Sequence, residues 1–145
     1  MKSKATSFLL GLAAAGFIAG CSTTPAPGGT AAEGGFAQAR KVIERNCVHC
    51  HGANRLATMP SYNDTGALAK LRGPGKWIVP GQPEASRFLQ VVTLSNSQPG
   101  AMPPTGHAIT KDEVATLRAW IAAGAPLPEG PPILLTPHGT PPRSR

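Results

Sequence analysis

Apolar positions fall into two stretches of helical spacing, with loops rich in proline and glycine between them. Phe36, Ala39, Ile43 and Cys47 recur at intervals of three and four, with Val42 broadening the stripe, so residues 36–46 are predicted to form a helix. Near the other end, Thr110 followed by Glu113 has the form of a capping box, each side chain reaching the other's backbone N–H. Val114, Leu117, Trp120 and Ile121 give that second helix its apolar face, Gly124 stops it and Pro126 follows. Between them, residues 64–71 and 83–94 are predicted as short helices. The second would open on Pro83 and bury Phe88, Leu89, Val91 and Val92. These elements predict an all-α domain.

Outside that span the pattern changes. Lys2 and Lys4 precede an apolar run over residues 8–18, then Ala19, Gly20 and Cys21, the layout of an export signal. The run is too short to cross a bilayer comfortably. Ile18-Ala19-Gly20-Cys21 resembles the bacterial lipoprotein signal, with Ile18 where leucine is usual. That resemblance implies cleavage before Cys21 and its acylation, and each acyl methylene buried in the membrane contributes about 0.8 kcal/mol. An ordinary secretory signal with an incidental Cys21 is the alternative. Residues 22–35 are mainly Thr, Pro, Ala and Gly and read as a flexible tether. Ser22 after the cysteine resembles signals for the outer rather than the inner membrane. The expected organisation is a signal over 1–20, a tether over 21–35, one domain over 36–126 and a Pro-rich disordered tail over 127–145, anchored by Cys21 in the cell envelope and facing the periplasm.

A chain of 145 residues with 16 prolines and 17 glycines, most of them in ends and loops, leaves a short core-forming stretch. Something must supplement it. The formal charge of +7 falls to +5 once Lys2 and Lys4 are removed, because 12 basic side chains then face 7 acidic ones. The basic residues are dispersed rather than clustered with aromatics, which argues against nucleic-acid binding.

Cys47-Val48-His49-Cys50-His51 carries the candidate chemistry. C-x-x-C-H is the signature of covalent c-type haem attachment. Two thiols on one turn can reach the two vinyl groups of a porphyrin, and the histidine after the second is then held beneath the iron, where neutral imidazole is a good donor. Cys47 and Cys50 are therefore the candidate haem anchors and His51 the proximal ligand. Zinc would need two further ligands at suitable spacing, and only His49, His107 and His138 remain, scattered and without a second cysteine pair. A redox dithiol belongs at a strand-to-helix junction, and no such strand precedes Cys47. A structural disulfide is the third use of this spacing. Together with the export signal, the motif favours one covalent haem c, and His49 reads as a surface side chain. A planar apolar porphyrin would supply the missing core of a mature chain with five aromatics, and the haem-free chain is expected to be largely unfolded.

The sixth iron ligand decides between carrier and enzyme. Met102 sits in Gly100-Ala101-Met102-Pro103-Pro104, a proline-stiffened loop 51 residues beyond His51, and is the favoured distal ligand. Met59, eight residues past His51, has little chain to travel around the porphyrin edge and reads as a core side chain. His107 is the rival distal ligand; His138 in the tail is a poor one. Iron with both axial positions filled exchanges electrons but does not readily bind peroxide or oxygen.

Over residues 37–126 the chain resembles a class I cytochrome c domain. The resemblance rests on Cys-x-x-Cys-His-Gly ending at Gly52, Val79-Pro80-Gly81-Gln82-Pro83-Glu84-Ala85-Ser86, Met102-Pro103-Pro104 and the Trp120-Ile121-x-x-Gly124-Ala125 ending, in that order. It implies a cytochrome c-like helical domain wrapped around one haem, with first and last helices crossing, Leu117 and Trp120 packing near Ala39 and Ile43, His51 and Met102 as axial ligands, and redox proteins as partners. The alternatives are a peroxidase-like enzyme or a gas sensor whose distal ligand is displaced.

Other chemistry finds no pattern. Gly75-Lys76 is not a phosphate loop, since Lys70 stands where the first glycine belongs and Trp77 where Ser or Thr belongs. The acidic residues give no close inward-facing pair for hydrolysis, and no small-molecule substrate is expected. Trp77 reads as a haem-pocket or loop-core aromatic. Arg40, Lys41, Arg45, Lys70, Arg72 and Lys76 are candidates for a basic ring steering acidic partners, and Ile133-Leu134-Leu135 for a docking element in the tail.

Overall fold

Among the described residues five helices carry the architecture: α1 Ala31–Asn46, α2 Val48–His51, α3 Thr65–Lys70, α4 Arg87–Thr93 and α5 Lys111–Ala122. The structure is a computed structural model that describes residues 31–104 and 107–139. The signal over 1–20, Cys21, residues 22–30 and residues 140–145 lie outside the described residues. Among the described residues there is no strand, only isolated bridges from Asp64 to Leu134 and from Arg72 to Ile78, so the fold is all-α as the apolar pattern predicts. No described helix is long and apolar enough to cross a membrane.

The core forms where α1 packs on α5. Phe36, Ala39 and Ile43 meet Leu117, Trp120 and Ile121, all nearly inaccessible to solvent. The Phe36 and Trp120 rings lie 6.3 Å apart between centroids. Phe88 on α4 then stands edge-on to Trp120 at 6.5 Å and to Tyr62 at 5.6 Å, a favourable arrangement of aromatic quadrupoles. A line of rings thus runs from the first helix to the loop after the cysteine motif.

The ends of α5 follow from local chemistry. The Thr110 hydroxyl accepts from the Glu113 N–H at 3.2 Å and the Glu113 carboxylate accepts from the Thr110 N–H at 3.0 Å, closing the box. At the other end Gly124 takes φ 93°, a left-handed conformation that glycine adopts without penalty, and the Trp120 indole N–H donates to the Pro126 carbonyl at 2.9 Å.

Three expectations need correction. Helix α1 begins at Ala31, inside the segment read as tether, and its first turns run through Gly34 and Gly35, each about 1 kcal/mol less favourable in a helix than alanine, before the packed face begins at Phe36. Helix α4 begins at Arg87 rather than Pro83. The buried Ser86 hydroxyl accepts from the Val79 N–H at 2.9 Å and donates to the Gln82 carbonyl at 2.9 Å, holding residues 79–86 as a looped turn. The Gly81 N–H of that turn donates to the Ile121 carbonyl at 2.8 Å and caps α5.

The third correction is the tail, which is ordered and packed through Gly139 rather than disordered from Leu127. The Thr65 N–H donates to the Ile133 carbonyl at 3.0 Å, the Leu135 N–H to the Asn63 carbonyl at 2.8 Å and the His138 N–H to the Glu44 carbonyl at 3.1 Å. Leu135 is the anchor, 2 % exposed, while Ile133 and Leu134 face solvent. Prolines keep this segment extended, and an extended strap satisfies its backbone on α1 and the start of α3.

Candidate haem site

The cysteine motif is built as a tight continuation of α1. The Cys47 N–H donates to the Ile43 carbonyl at 2.8 Å, and the Cys50 and His51 N–H groups both donate to the Cys47 carbonyl, at 3.1 and 2.9 Å. Cys47, Cys50 and His51 are thereby brought to one side of a single turn. Gly52 closes it by necessity, since a Cβ there would lie 2.6 Å from the Val48 carbonyl oxygen.

Cys47, Cys50 and His51 line an apolar cavity of about 250 Å³. Its other walls are Tyr62, Trp77, Phe88, Val91, Val92 and Ile109, with Met59-Pro60 at one rim and Met102-Pro103-Pro104 at another. The two cysteines are not bonded to each other, Cys47 being buried and Cys50 exposed. Burial, then the charges of Glu113 and Cys50, push the Cys47 thiol up to about 12, so it stands as a neutral thiol. Burial and the neighbouring Cys47 raise the Tyr62 phenol in the same sense.

His51 is buried and its orientation is fixed. Its Nδ1 lies 2.9 Å from the Pro60 carbonyl oxygen. A carbonyl only accepts, so Nδ1 carries the proton and Nε2 keeps a free lone pair, the arrangement a metal-ligating histidine requires. The ring also packs on Tyr62 at 4.8 Å between centroids.

Met102 is half-buried on the cavity wall, and its N–H donates to the Val91 carbonyl of α4 at 2.9 Å. Met59, read as a core side chain, instead lines the same cavity. It precedes the proline whose carbonyl holds His51. His107 does not line the cavity; its Nε2 lies 3.2 Å from Asn46 Oδ1. His49 turns its Nε2 to the His138 carbonyl at 3.3 Å, so neither His49 nor His138 lines the cavity. Among the described residues no group of three or more His, Cys, Asp or Glu side chains is placed to hold a single metal ion by itself.

These residues fit a haem. The cavity offers two thiols, an oriented imidazole with a free Nε2 and a methionine, on walls that are apolar apart from Asn46 and Thr58. Among the described residues the buried Nε of Arg55 has no hydrogen-bond partner, and Arg55 lines a second hollow that shares Met59 and Pro60 with the first, which suits the carboxylates a haem carries.

The basic ring is not built as expected. Arg40 donates to Glu44 at 2.8 Å and to the Leu134 carbonyl at 3.1 Å, Arg45 lies 3.8 Å from Glu113, and the Arg72 Nε is buried. None of the six lines the cavity, and the exposed lysines among them are Lys41, Lys70 and Lys76.

Sequence reasoning missed Pro60, Asn46 and Tyr62. Pro60 acts through a backbone carbonyl, which leaves no side-chain signature. Asn46 is buried and donates to Glu113 Oε1 at 3.1 Å. Burial raises the Glu113 carboxyl, but the backbone N–H and hydroxyl of Thr110, the Asn46 amide and the Arg45 charge outweigh it and hold the carboxyl below its ordinary range. A depressed folded pKa contributes stability that is present above the unfolded value of about 4.3 and is lost as pH falls through the folded value. Glu113→Gln is therefore expected to cost about 1 kcal/mol at neutral pH, and the gap from wild type should narrow in acid when urea unfolding is compared at the two pH values.

A family model described as cytochrome C oxidase, cbb3-type, subunit III matches residues 34–121. No curated protein and no solved structure matches the chain.

Proposed function

Because the chain belongs to that family of c-type cytochrome domains, we propose that it is a monohaem electron carrier of the bacterial cell envelope. Membership supports the coarser statement directly: a cytochrome c-like, all-α, haem-dependent electron-transfer domain. The observation that carries the finer reading is the convergence of Cys47, Cys50, His51 and Met102 on one apolar cavity, with His51 Nδ1 held by Pro60.

In this reading Cys47 and Cys50 would hold one haem c covalently through their sulfurs. When bound, the haem supplies a one-electron couple. His51 would offer Nε2 to the iron while the Pro60 carbonyl keeps Nδ1 protonated, and Met102 would offer its thioether sulfur. The mostly apolar walls would keep water from the bound group, which favours electron exchange over ligand chemistry. Acylation at Cys21 would hold the protein to the membrane, outer rather than inner, with redox proteins as partners. The folded unit in this proposal reaches from Ala31 of α1 to Gly139 of the C-terminal strap.

The test is the holoprotein itself. One haem per chain should survive denaturation, and the ferric form should show the sulfur-to-iron charge-transfer band. The ferrous form should ignore carbon monoxide. Avid carbon monoxide binding by wild type would overturn the carrier reading in favour of an enzyme or a gas sensor.

A further inference from the structure

We propose that Asn46 is a positioning residue that latches the Met102 loop to the haem-motif end of α1 through His107. The inference rests on Met102 as distal ligand and goes further, to what keeps it in place. Asn46 is 6 % exposed, lines the cavity and immediately precedes Cys47. Its side chain makes three hydrogen bonds. Nδ2 donates to the Val42 carbonyl at 3.0 Å and to Glu113 Oε1 at 3.1 Å, and Oδ1 lies 3.2 Å from His107 Nε2.

The chemistry of the partners fixes the orientation. A backbone carbonyl and an ionised carboxylate only accept, so the NH₂ end of Asn46 faces them and its oxygen faces His107. His107 Nε2 must then carry the proton it donates. Nε2 has no lone pair to offer iron in this arrangement, and the histidine that looks like a rival ligand becomes the fastener of the loop.

The loop is pinned on both sides of Met102. On one side the Met102 N–H is bonded to the Val91 carbonyl at 2.9 Å. On the other, His107 is bonded to Asn46, and the buried Ile109 leads into the capping box that Glu113 closes. One amide therefore joins α1, the last helix and the ligand loop next to the haem cysteines. A thioether is a soft donor on a single loop, so its hold depends on how rarely that loop opens. An added ligand binds iron only when the loop is open, and its apparent affinity rises in proportion to the open fraction.

The experiment is an imidazole titration of ferric holoprotein, followed optically, with thermal unfolding in parallel. Loss of one hydrogen bond should raise the open fraction about threefold to tenfold. His107→Ala is therefore expected to bind imidazole more tightly by that factor. His107→Gln, whose amide can still donate to Asn46 Oδ1, should return toward wild type. Asn46→Ala should show the same gain, and the double variant no more, since both remove one latch. If Asn46→Ala does not assemble, the two His107 variants decide alone. Unchanged imidazole affinity in His107→Ala, or no rescue by glutamine, overturns the latch even if the melting temperature drops. Absence of the sulfur-to-iron band in wild type removes the Met102 reading and the latch together, whereas its presence with unchanged affinities removes the latch alone.

Discussion

Met102→Ala is expected to abolish the sulfur-to-iron band, open the ferrous iron to carbon monoxide and lower the reduction potential by roughly 0.2 V, a quarter of the ~0.8 V that axial ligation spans. The direction follows from the donor. A thioether is soft and favours the ferrous state, so its loss leaves water or a vacancy that favours ferric iron. The chain should still assemble, because Met102 is only half-buried and the loop keeps its bond to Val91. Two methionines line the cavity, so Met59→Ala is the necessary companion. Met59 adjoins the proline whose carbonyl holds His51, and its removal should leave the band in place. Spectroelectrochemistry of the three proteins decides: if Met59→Ala loses the band and Met102→Ala retains it, the assignment of the distal ligand is reversed.

What was readable in the sequence is what acts locally. The cysteine motif, the Thr110 and Glu113 box and the stop at Gly124 each place their interacting groups within a few residues, and each stands where the spacing puts it. The Val79 to Ser86 element was recognisable as a pattern but not as a mechanism. Its serine is buried to tie two backbone groups, and that tie keeps Pro83 out of α4.

What was not readable acts over distance or through the backbone. The strap to Gly139 buries one leucine and otherwise pairs main-chain groups with residues 44 and 63–65, leaving a proline-rich composition that looks like disorder. Pro60 contributes only a carbonyl, and the side-chain bonds of Asn46 reach residues 42, 107 and 113. The basic residues mislead for a related reason. Charge counted along a chain cannot reveal that Arg40 and Arg45 are already engaged with glutamates, nor that Arg72 turns its Nε inward.

Removing the haem is expected to unfold most of the domain. A chain carrying Cys47→Ala and Cys50→Ala cannot hold the cofactor covalently, and its fold would have to tolerate the cavity unfilled. At about 24 cal/mol per Å³, a void of about 250 Å³ costs about 6 kcal/mol, which rivals the whole ~5–15 kcal/mol by which a domain is usually stable. Local collapse cannot relieve it, because the walls come from α2, α4, the Tyr62 and Trp77 loops and the Met102 loop at once. The contact between α1 and α5 lies to one side and is the part expected to retain helix. Far-UV circular dichroism on heating should show the double variant either without a cooperative transition or melting more than about 20 °C below the holoprotein, since 1 kcal/mol moves the midpoint of a domain this size by about 4 °C or more. A double variant that melts cooperatively within a few degrees of the holoprotein would mean that the aromatic line from Phe36 to Tyr62 is core enough, and that the cofactor is a passenger in the fold rather than its centre.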